Sequence, residues 1–348
     1  MTVDQIDRFS LVEQVLTEDR ALVAEALPRF LPEREPRRWL YDLVAVYPSR
    51  RGKGLRPSLC LSAARAFGAP SVEALPSAIA IELVHNAFLV HDDIEDGSEQ
   101  RRGSPTLHHQ VGDSLAINVG DALAVLAMAP LRENTRVLGG RMARRIGDEF
   151  QTMMFRTIEG QAIELGWRED SVADLEPDDY LNLVLLKTCA YTTIYPLRIG
   201  SIIGSWGAVD LEAVTRFGFY LGAAFQIQDD VLNLAGSESV YGKERDGDLY
   251  EGKRTLMLIH LLNSAAETER ADVIAFLDKD RSDRGANEVE TIKALMGKYE
   301  SVEYARQFAA GIADLARESF DEAFGGVKPG RDVEFLRETV DYMTRRER

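Results

Sequence analysis

The chain has 348 residues, of which 28% are charged and 45% hydrophobic, an ordinary globular composition that excludes disordered, collagen-like and low-complexity proteins. Its 41 basic and 57 acidic residues give a net charge of −16, which repels nucleic acid and anionic membrane surfaces. A polyanionic ligand would therefore need a local basic cluster or bound cations.

The spacing of apolar residues indicates helices along almost the whole chain, and almost no stretch alternates as a strand would. Clusters of glycine, proline and serine separate the helices, and no stretch resembles an interdomain linker. The sequence therefore predicts an all-α fold in a single domain spanning residues 1–348. The predicted helices cover residues 11–31, 37–47, 56–67, 77–93, 113–130, 134–165, 178–188, 191–205, 211–234, 254–263, 267–278, 290–299, 301–323 and 333–345.

Features of export and membrane insertion are missing from the sequence. Residues 1–7 are polar and acidic, unlike a signal peptide, and the longest apolar stretch, 122–131, has half the length of a membrane span. Cys60 and Cys189 lie in apolar helical sequence without metal-ligand or redox spacing, so we expect buried free thiols. We expect a cytoplasmic protein with no membrane span.

A basic loop precedes the helix predicted at 56–67. It reads Gly-Lys-Gly-Leu-Arg-Pro over residues 52–57, and its glycines permit close approach of the backbone to a ligand. Lys53 and Arg56 near the start of a helix form a candidate anion site. A chain with 41 basic residues contains some such pairs by chance, so this pair alone is weak evidence for an anion site. The acidic motifs elsewhere in the chain strengthen that evidence.

The helix predicted at 77–93 is apolar nearly all round, which is typical of a helix surrounded by other helices. It runs into Asp92, Asp93 and Asp96, and carboxylates at the end of a central helix are costly to bury unless a metal ion or a cation meets them. Because positions i and i+4 share a helix face, Asp92 and Asp96 point together. His85, seven residues before Asp92, lies on the same face.

The helix predicted at 211–234 repeats this arrangement. It runs into Asp229 and Asp230, and Asn233 follows four residues after Asp229. Oxygen ligands grouped in this way suit Mg²⁺ shared with a substrate phosphate better than a closed protein cage. Basic residues follow the two motifs, namely Arg101 and Arg102 after the first and Lys243, Lys253 and Arg254 after the second.

A third acidic run, at residues 178–182, has the spacing of the second motif. It follows Pro177 and opens a helix, where acidic side chains favour the helix dipole and cap free amide groups. We interpret it as a helix cap. Three acids in this pattern arise about once or twice by chance in such a chain, so one motif alone is weak evidence for a metal site. The prediction rests on two such motifs, each at the end of an apolar helix.

Several enzyme classes lack their motifs in this sequence. The five histidines show no HExxH spacing, and G-x-S-x-G, GxGxxG and P-loop motifs are absent. A zinc hydrolase, a serine hydrolase, a Rossmann enzyme and a P-loop ATPase are therefore disfavoured.

In their order and spacing, the motifs between Gly52 and Thr255 resemble those of the trans-isoprenyl diphosphate synthases, or polyprenyl synthetases, and most closely the geranylgeranyl diphosphate synthases. The resemblance implies an all-α bundle around a deep central cavity, usually in a homodimer. It also implies head-to-tail condensation of isopentenyl diphosphate with an allylic diphosphate, with three Mg²⁺ ions per site. A product of twenty carbons is the favoured expectation.

The resemblance implies roles for individual residues. The Mg²⁺ ligands would be Asp92, Asp93, Asp96, Asp229, Asp230 and Asn233, and these aspartates would be catalytic together with Arg101 and Lys187. Isopentenyl diphosphate would be held by Lys53, Arg56, His85 and Arg102. The allylic diphosphate would be held by Arg101, Lys187, Thr188, Gln226, Lys243 and Lys253. Gly160 and Gln161 match a helix segment that lines the same cavity.

Two positions depart from the family pattern. Asn233 stands where many members have aspartate, and a neutral ligand weakens one Mg²⁺ contact. Gly54 stands where the family usually has a basic residue after the lysine. We expect neither change to abolish activity.

Product length should depend on the side chains below Asp92. Phe88 is four residues back, about 6 Å down the helix, and Ala87 is about 7.5 Å down. In the family, a large aromatic residue five positions before the first aspartate stops chains near fifteen carbons. Ala87 leaves that space open, while Phe88 partly fills the neighbouring one.

Other functions compete with this interpretation. A farnesyl or longer-chain synthase would share every motif. A class I terpene cyclase would share the fold but has no need for Lys53, Arg56 and Arg102. A non-catalytic regulatory subunit would typically lose one aspartate motif, and this chain has both.

Overall fold

The computed structural model describes residues 9–50, 52–235 and 246–344. These residues form helices joined by short turns, together with one antiparallel hairpin, so the all-α prediction is confirmed. The helices are α1 (Ser10–Ala26), α2 (Asp42–Val44), α3 (Val46–Ser49), α4 (Leu55–Ala66), α5 (Ser71–Glu95), α6 (Leu107–Val111), α7 (Asp113–Leu126), α8 (Met128–Leu138), α9 (Gly140–Glu169), α10 (Pro177–Val184), α11 (Tyr195–Gly204), α12 (Leu211–Ala235), α13 (Gly247–Glu251), α14 (Leu256–Ser264), α15 (Glu267–Leu277), α16 (Ala286–Lys298), α17 (Ser301–Phe324) and α18 (Arg331–Thr344).

The hairpin pairs β1 (Gln100–Arg101) with β2 (Ser104–Pro105). The sequence did not predict it, because strands of two residues are too short to show alternation. Gly103 lies at its turn with a φ of 71°, a left-handed conformation that glycine adopts without steric cost. The hairpin joins α5 to α6 and carries Arg101 and Arg102.

A π-helical segment, Leu185–Ile194, joins α10 to α11, so residues 177–204 form one continuous helix. The sequence predicted two helices here, with a break at residues 189–190. That break is wrong because the intervening residues are buried between helices, and tertiary packing overrides their modest helix propensity. Thr193, further along the same segment, is also buried, and its hydroxyl donates to the carbonyl of Gly218 on α12 at 2.6 Å.

Helices α5 and α12 form the centre of the bundle. Helix α5 packs against α4, α7 and α8, while α12 packs along α17 and the π-helical segment. Phe217 of α12 and Phe320 of α17 lie edge to face, with ring centroids 5.3 Å apart. Both central helices end at an acidic motif, so the packing of the core places those motifs.

Two helical stretches have the length and mean hydropathy of a membrane span, Ser71–Glu95 and Asp113–Leu138. In the first, 78% of the apolar window is buried inside the protein, as expected for a core helix. In the second, only 33% is buried. This stretch, which comprises α7 and α8, therefore presents an apolar face at the surface.

Cys60 and Cys189 are free and buried, as the sequence predicts. Burial raises the pKa of the Cys60 thiol to about 12, so it stays protonated and packs as a small apolar side chain.

Candidate functional site

The first acidic motif lies at the end of α5, where its carboxylates meet Arg101 of the hairpin. Arg101 Nε donates to Asp93 Oδ1 at 2.7 Å, and its Nη2 donates to Asp92 Oδ2 at 3.2 Å. Burial disfavours the charged guanidinium, but the negative charges of Asp93 and Asp92 outweigh it and raise the pKa of Arg101. Asp93 is fully buried, whereas Asp92 is partly exposed.

Asp96 follows the last residue of α5 and is paired with two cations from distant parts of the chain. Arg168 Nη1 and Lys253 Nζ each donate to it at 2.7 Å. Burial would raise the pKa of Asp96, but the Lys253 charge prevails and the pKa is lowered. Lys253 Nζ also lies 2.6 Å from Glu251 and 3.7 Å from Asp248.

The second acidic motif lies near the end of α12. Asp230 accepts hydrogen bonds from the Tyr180 hydroxyl at 2.8 Å and from Gln226 Nε2 at 2.7 Å. Burial and the charge of Asp248 raise the pKa of Asp230 well above its usual range. Asn233 Oδ1 accepts the backbone N–H of Asp248 at 3.2 Å.

Lys187 and Thr188 connect the two motifs. Lys187 Nζ lies 3.5 Å from Asp92 Oδ1 and also forms a salt bridge with Glu164. Thr188, the next residue, donates to Gln226 Oε1 at 2.9 Å, and Gln226 in turn holds Asp230. An ion pair on one side and two hydrogen bonds on the other therefore connect these consecutive residues to both acidic motifs, which belong to one site.

Gly160 on α9 permits the close approach of the segment that carries Lys187. A Cβ at position 160 would overlap the backbone nitrogen of Lys187 and lie 2.6 Å from its Cα. Gln161, the next residue, donates to Glu95 Oε2 at 2.6 Å. These residues thus place α9 against both the first motif and the π-helical segment.

The residues predicted to hold isopentenyl diphosphate lie around the start of α4. The Arg56 guanidinium lies 4.3 Å from the ring centroid of Tyr191, and its Nη1 is 3.4 Å from His85 Nε2. Burial and the nearby positive charge of Arg56 hold the pKa of His85 well below its usual range. Because arginine only donates, Nε2 of a neutral His85 acts as the acceptor and Nδ1 carries the proton.

Arg102 reaches the basic loop from the hairpin. Its Nη1 donates to the carbonyl of Arg50 at 2.8 Å, and a Cβ at Gly52 would lie 2.6 Å from its Nη2. Glycine at position 52 is therefore required for this contact. Lys53 is exposed, with its ammonium 6.0 Å from the ring centroid of Tyr342.

The remaining sequence-predicted residues divide between the core and the undescribed part of the chain. Ala87 is buried, and the Phe88 ring lies edge to face with Tyr191 at 5.7 Å. Asp229 is partly exposed on α12 beside Asp230. Lys243 lies outside the described residues.

The third acidic run is a helix cap, as the sequence predicts. Asp179 Oδ2 accepts the backbone N–H of Glu176 at 2.9 Å in a capping box at the start of α10. Tyr180, inside this run, nevertheless holds Asp230 and so belongs to the site.

Sequence reasoning missed several residues of the site. Most of them contact a motif that is distant along the chain, and no local pattern marks them. Asp248 and Glu251 are exceptions, since acidic residues just before Gly252 and Lys253 repeat the pairing of acidic and basic residues seen after the first motif. The missed residues are Tyr47, Glu164, Arg168, Tyr180, Asp248 and Glu251.

The donor set fits a divalent cation that is shared with a ligand. Among the described residues, no three acidic, histidine or cysteine side chains are close enough to hold a metal ion alone. The motifs supply carboxylate oxygens and one amide oxygen, which are hard ligands suited to Mg²⁺ completed by phosphate oxygens. The negative charges of Asp248 and Asp229 help to raise the pKa of Asp230. A bound cation would offset this repulsion between carboxylates.

Comparisons with known proteins agree with this arrangement. The chain is 32% identical over 271 residues to a geranylgeranyl diphosphate synthase of Saccharolobus solfataricus, covering 78% of this chain and 80% of that protein. It is 29% identical to a geranylfarnesyl diphosphate synthase of Natronomonas pharaonis, covering 96% and 98%. The crystal structure of a geranylgeranyl pyrophosphate synthetase from Pyrococcus horikoshii superposes with a TM-score of 0.84 at 29% identity, covering 99% of each chain.

The family model described as Polyprenyl synthetase matches residues 37–296, which include both acidic motifs, the hairpin and the basic loop. Because this match spans more than half of the chain, the protein belongs to the polyprenyl synthetase family.

Proposed function

We propose that the protein condenses isopentenyl diphosphate with an allylic diphosphate in a Mg²⁺-dependent reaction and releases geranylgeranyl diphosphate. The observation that carries this proposal is the junction of the two acidic motifs, with Lys187 beside Asp92 and Thr188 linked through Gln226 to Asp230. The relatives named geranylgeranyl diphosphate synthase support the product.

The demanding step is the loss of diphosphate from the allylic substrate. The C–O bond breaks with its electron pair going to the diphosphate, and the double bond of isopentenyl diphosphate attacks the allylic carbon. A proton is then lost to the departed diphosphate. Two unit charges 4 Å apart interact by about 1 kcal/mol in water but about 4 kcal/mol at an effective dielectric of 20, so fixed charges in a partly dry site stabilise the leaving group.

Arg101, Lys187 and Lys253 are placed to hold the allylic diphosphate. Each of them forms an ion pair with a carboxylate of the first motif, so these three cations lie beside the residues that would hold Mg²⁺. When bound, Mg²⁺ would neutralise charge on the leaving diphosphate. The residues that would hold it are Asp92, Asp93, Asp96, Asp229, Asp230 and Asn233, and we propose three ions as the family implies.

Isopentenyl diphosphate would bind beside the basic loop, at Lys53, Arg56, His85 and Arg102. The guanidinium of Arg56 lies over the ring of Tyr191, and this contact helps to fix the position of its donors. His85 is buried and neutral, and its proton on Nδ1 has no partner among the described residues. Isopentenyl diphosphate would therefore not have to displace a carboxylate from His85 in order to accept a hydrogen bond from it.

We also propose that the protein functions as a homodimer. Helix α7 exposes 46% of Ile117 and 70% of Val125, and α9 exposes 58% of Phe155 and 52% of Ile158. Large apolar side chains exposed at the surface are typical of an interface with another chain. A second copy would also cover the apolar face of the 113–138 stretch.

Incubation with Mg²⁺, radiolabelled isopentenyl diphosphate and a five-, ten- or fifteen-carbon allylic primer tests the proposal. We expect label in a twenty-carbon product, and no label after chelation of the metal. A product of fifteen carbons, or of more than twenty, would identify another synthase. No incorporation with any primer would overturn the proposal in favour of a cyclase or a regulatory subunit.

A further inference from the structure

Tyr47 lies outside the sequence motifs, yet it contacts the first acidic motif. Its side chain is only 1% exposed, and its hydroxyl donates to Asp93 Oδ2. The Tyr47 hydroxyl oxygen in turn accepts the backbone N–H of Leu107, the first residue of α6, at 3.2 Å. One hydroxyl therefore joins the end of α5 to the element that follows the hairpin.

The ring of Tyr47 supports the hairpin through a second contact. The guanidinium of Arg50 lies 4.6 Å from its centroid. Arg50 donates to the carbonyl of Arg101 at 3.2 Å and to the carbonyl of Pro105 at 2.7 Å, so it holds both strands. Together the hydroxyl and the ring fix the hairpin at its strands and at its exit.

Asp93 transmits this constraint to Arg101. One carboxylate oxygen receives Tyr47 and the other receives Arg101 Nε, so the tyrosine sets the plane of the carboxylate that orients the guanidinium. Arg101 Nη2 then reaches Asp92.

We propose that Tyr47 is a positioning residue for prenyl transfer, which holds Asp93 and the hairpin so that Arg101 faces the departing diphosphate. The inference rests on the proposed function, since Arg101 must act on the substrate. A catalytic cation displaced by about 1 Å costs up to about 100-fold in rate, so a well-packed tyrosine can affect turnover without touching the substrate.

Tyr47→Phe removes the hydroxyl and keeps the ring beneath Arg50. We expect kcat to fall about 10- to 100-fold, because Arg101 acts most strongly as charge develops on the leaving diphosphate. The KM of the allylic substrate, which Arg101 also holds, should rise by a smaller factor, and the KM of isopentenyl diphosphate should change less than about twofold. Kinetics with separate variation of the two substrates, together with thermal unfolding, measure this.

Tyr299 provides a matched control. Its hydroxyl also donates to a carboxylate, Glu269 at 2.5 Å, and accepts the backbone N–H of Ala266, the N-cap residue of α15, at 2.9 Å. A cation, Lys298, also lies over its ring at 4.9 Å. Tyr299→Phe should lower the unfolding temperature by a similar amount and leave kcat within about twofold.

A double-mutant cycle separates positioning from general destabilisation. In an Arg101→Lys background, Tyr47→Phe should lower kcat by less than about twofold further, because its effect passes through Arg101. Full additivity, or a kcat unchanged by Tyr47→Phe in an active wild-type background, would overturn the inference while leaving the proposed function intact. An inactive wild type would instead remove the proposed function.

If Tyr47→Phe does not fold, Arg50→Met tests the same anchoring. This change keeps an apolar stem over the ring and removes the donors to Arg101 and Pro105. We expect a folded protein with kcat reduced about tenfold. Wild-type kcat in this variant would contradict the role of the hairpin anchor.

Discussion

At the scale of single residues, Phe88, which we expect to influence product length, contacts a ring beside the predicted isopentenyl diphosphate site. Phe88 lies edge to face with Tyr191, and the Arg56 guanidinium lies over the same ring, 4.3 Å from its centroid. Ala87, one residue earlier, is buried and contributes only a methyl group. The two neighbouring positions therefore differ in what they control, since Phe88 also supports a residue predicted to bind isopentenyl diphosphate.

We expect Ala87→Phe to shorten the product toward fifteen carbons, because a ring would occupy space about 7.5 Å below Asp92. Phe88→Ala should lengthen the product and also raise the KM of isopentenyl diphosphate, because Tyr191 loses its edge contact. Chromatography of labelled products and initial-rate kinetics measure both effects. Phe308→Ala, on α17, is the control with wild-type products. Unchanged products in both Ala87 and Phe88 variants would discard this model of the chain-length floor.

At the scale of the elements, the acidic motifs and several of their basic partners could be predicted from sequence, while partners outside any motif could not. Asp92 and Asp96 share a helix face by local geometry, and the apolar helix before them signals a buried position. Tyr180 reaches Asp230 from 50 residues away, and a tyrosine in a helix reads as ordinary core. The continuous helix at 177–204 escaped prediction for a similar reason, since its burial depends on tertiary contacts.

The contact between α9 and the π-helical segment can be tested at Gly160. Gly160→Ala should displace the backbone of Lys187, lower kcat and destabilise the protein by about 1–3 kcal/mol, because the new methyl group has no space. Gly166→Ala on the same helix has nothing within 4 Å, so it should stabilise by up to about 1 kcal/mol with wild-type kcat. Urea unfolding and steady-state kinetics measure these changes. Equal behaviour of the two variants would contradict the close-contact argument.

At the scale of the whole molecule, the chain contains two strongly apolar helical stretches, of which one is covered by other helices and the other is largely exposed. Helix α5 is covered by its neighbours, as the sequence predicts for a helix that is apolar all round. The 113–138 stretch has comparable hydropathy but lies at the surface. The sequence could not separate these cases, because periodicity reports which residues are apolar and not which element covers them.

If the proposed homodimer forms, the wild type sediments as two copies of the 38.8 kDa chain. Val125→Glu should shift it toward the monomer, because a carboxylate buried in an interface of about 800 Å² per partner is costly to desolvate. Ser114→Glu, at an exposed polar position on the same helix, should leave the assembly unchanged. A monomeric wild type would refute the dimer, and a dimeric Val125→Glu variant would refute this face.

Lys187 and Thr188 are consecutive residues, and each serves a different acidic motif. The backbone between these two residues thus fixes the distance between the parts of the site that contact the first and the second acidic motif. A shift of this helix would move Lys187 and Thr188 together and would therefore change the contacts of both acidic motifs. Sequence change that alters ligand preference should therefore accumulate in the surrounding walls, while the geometry of these two positions stays constant.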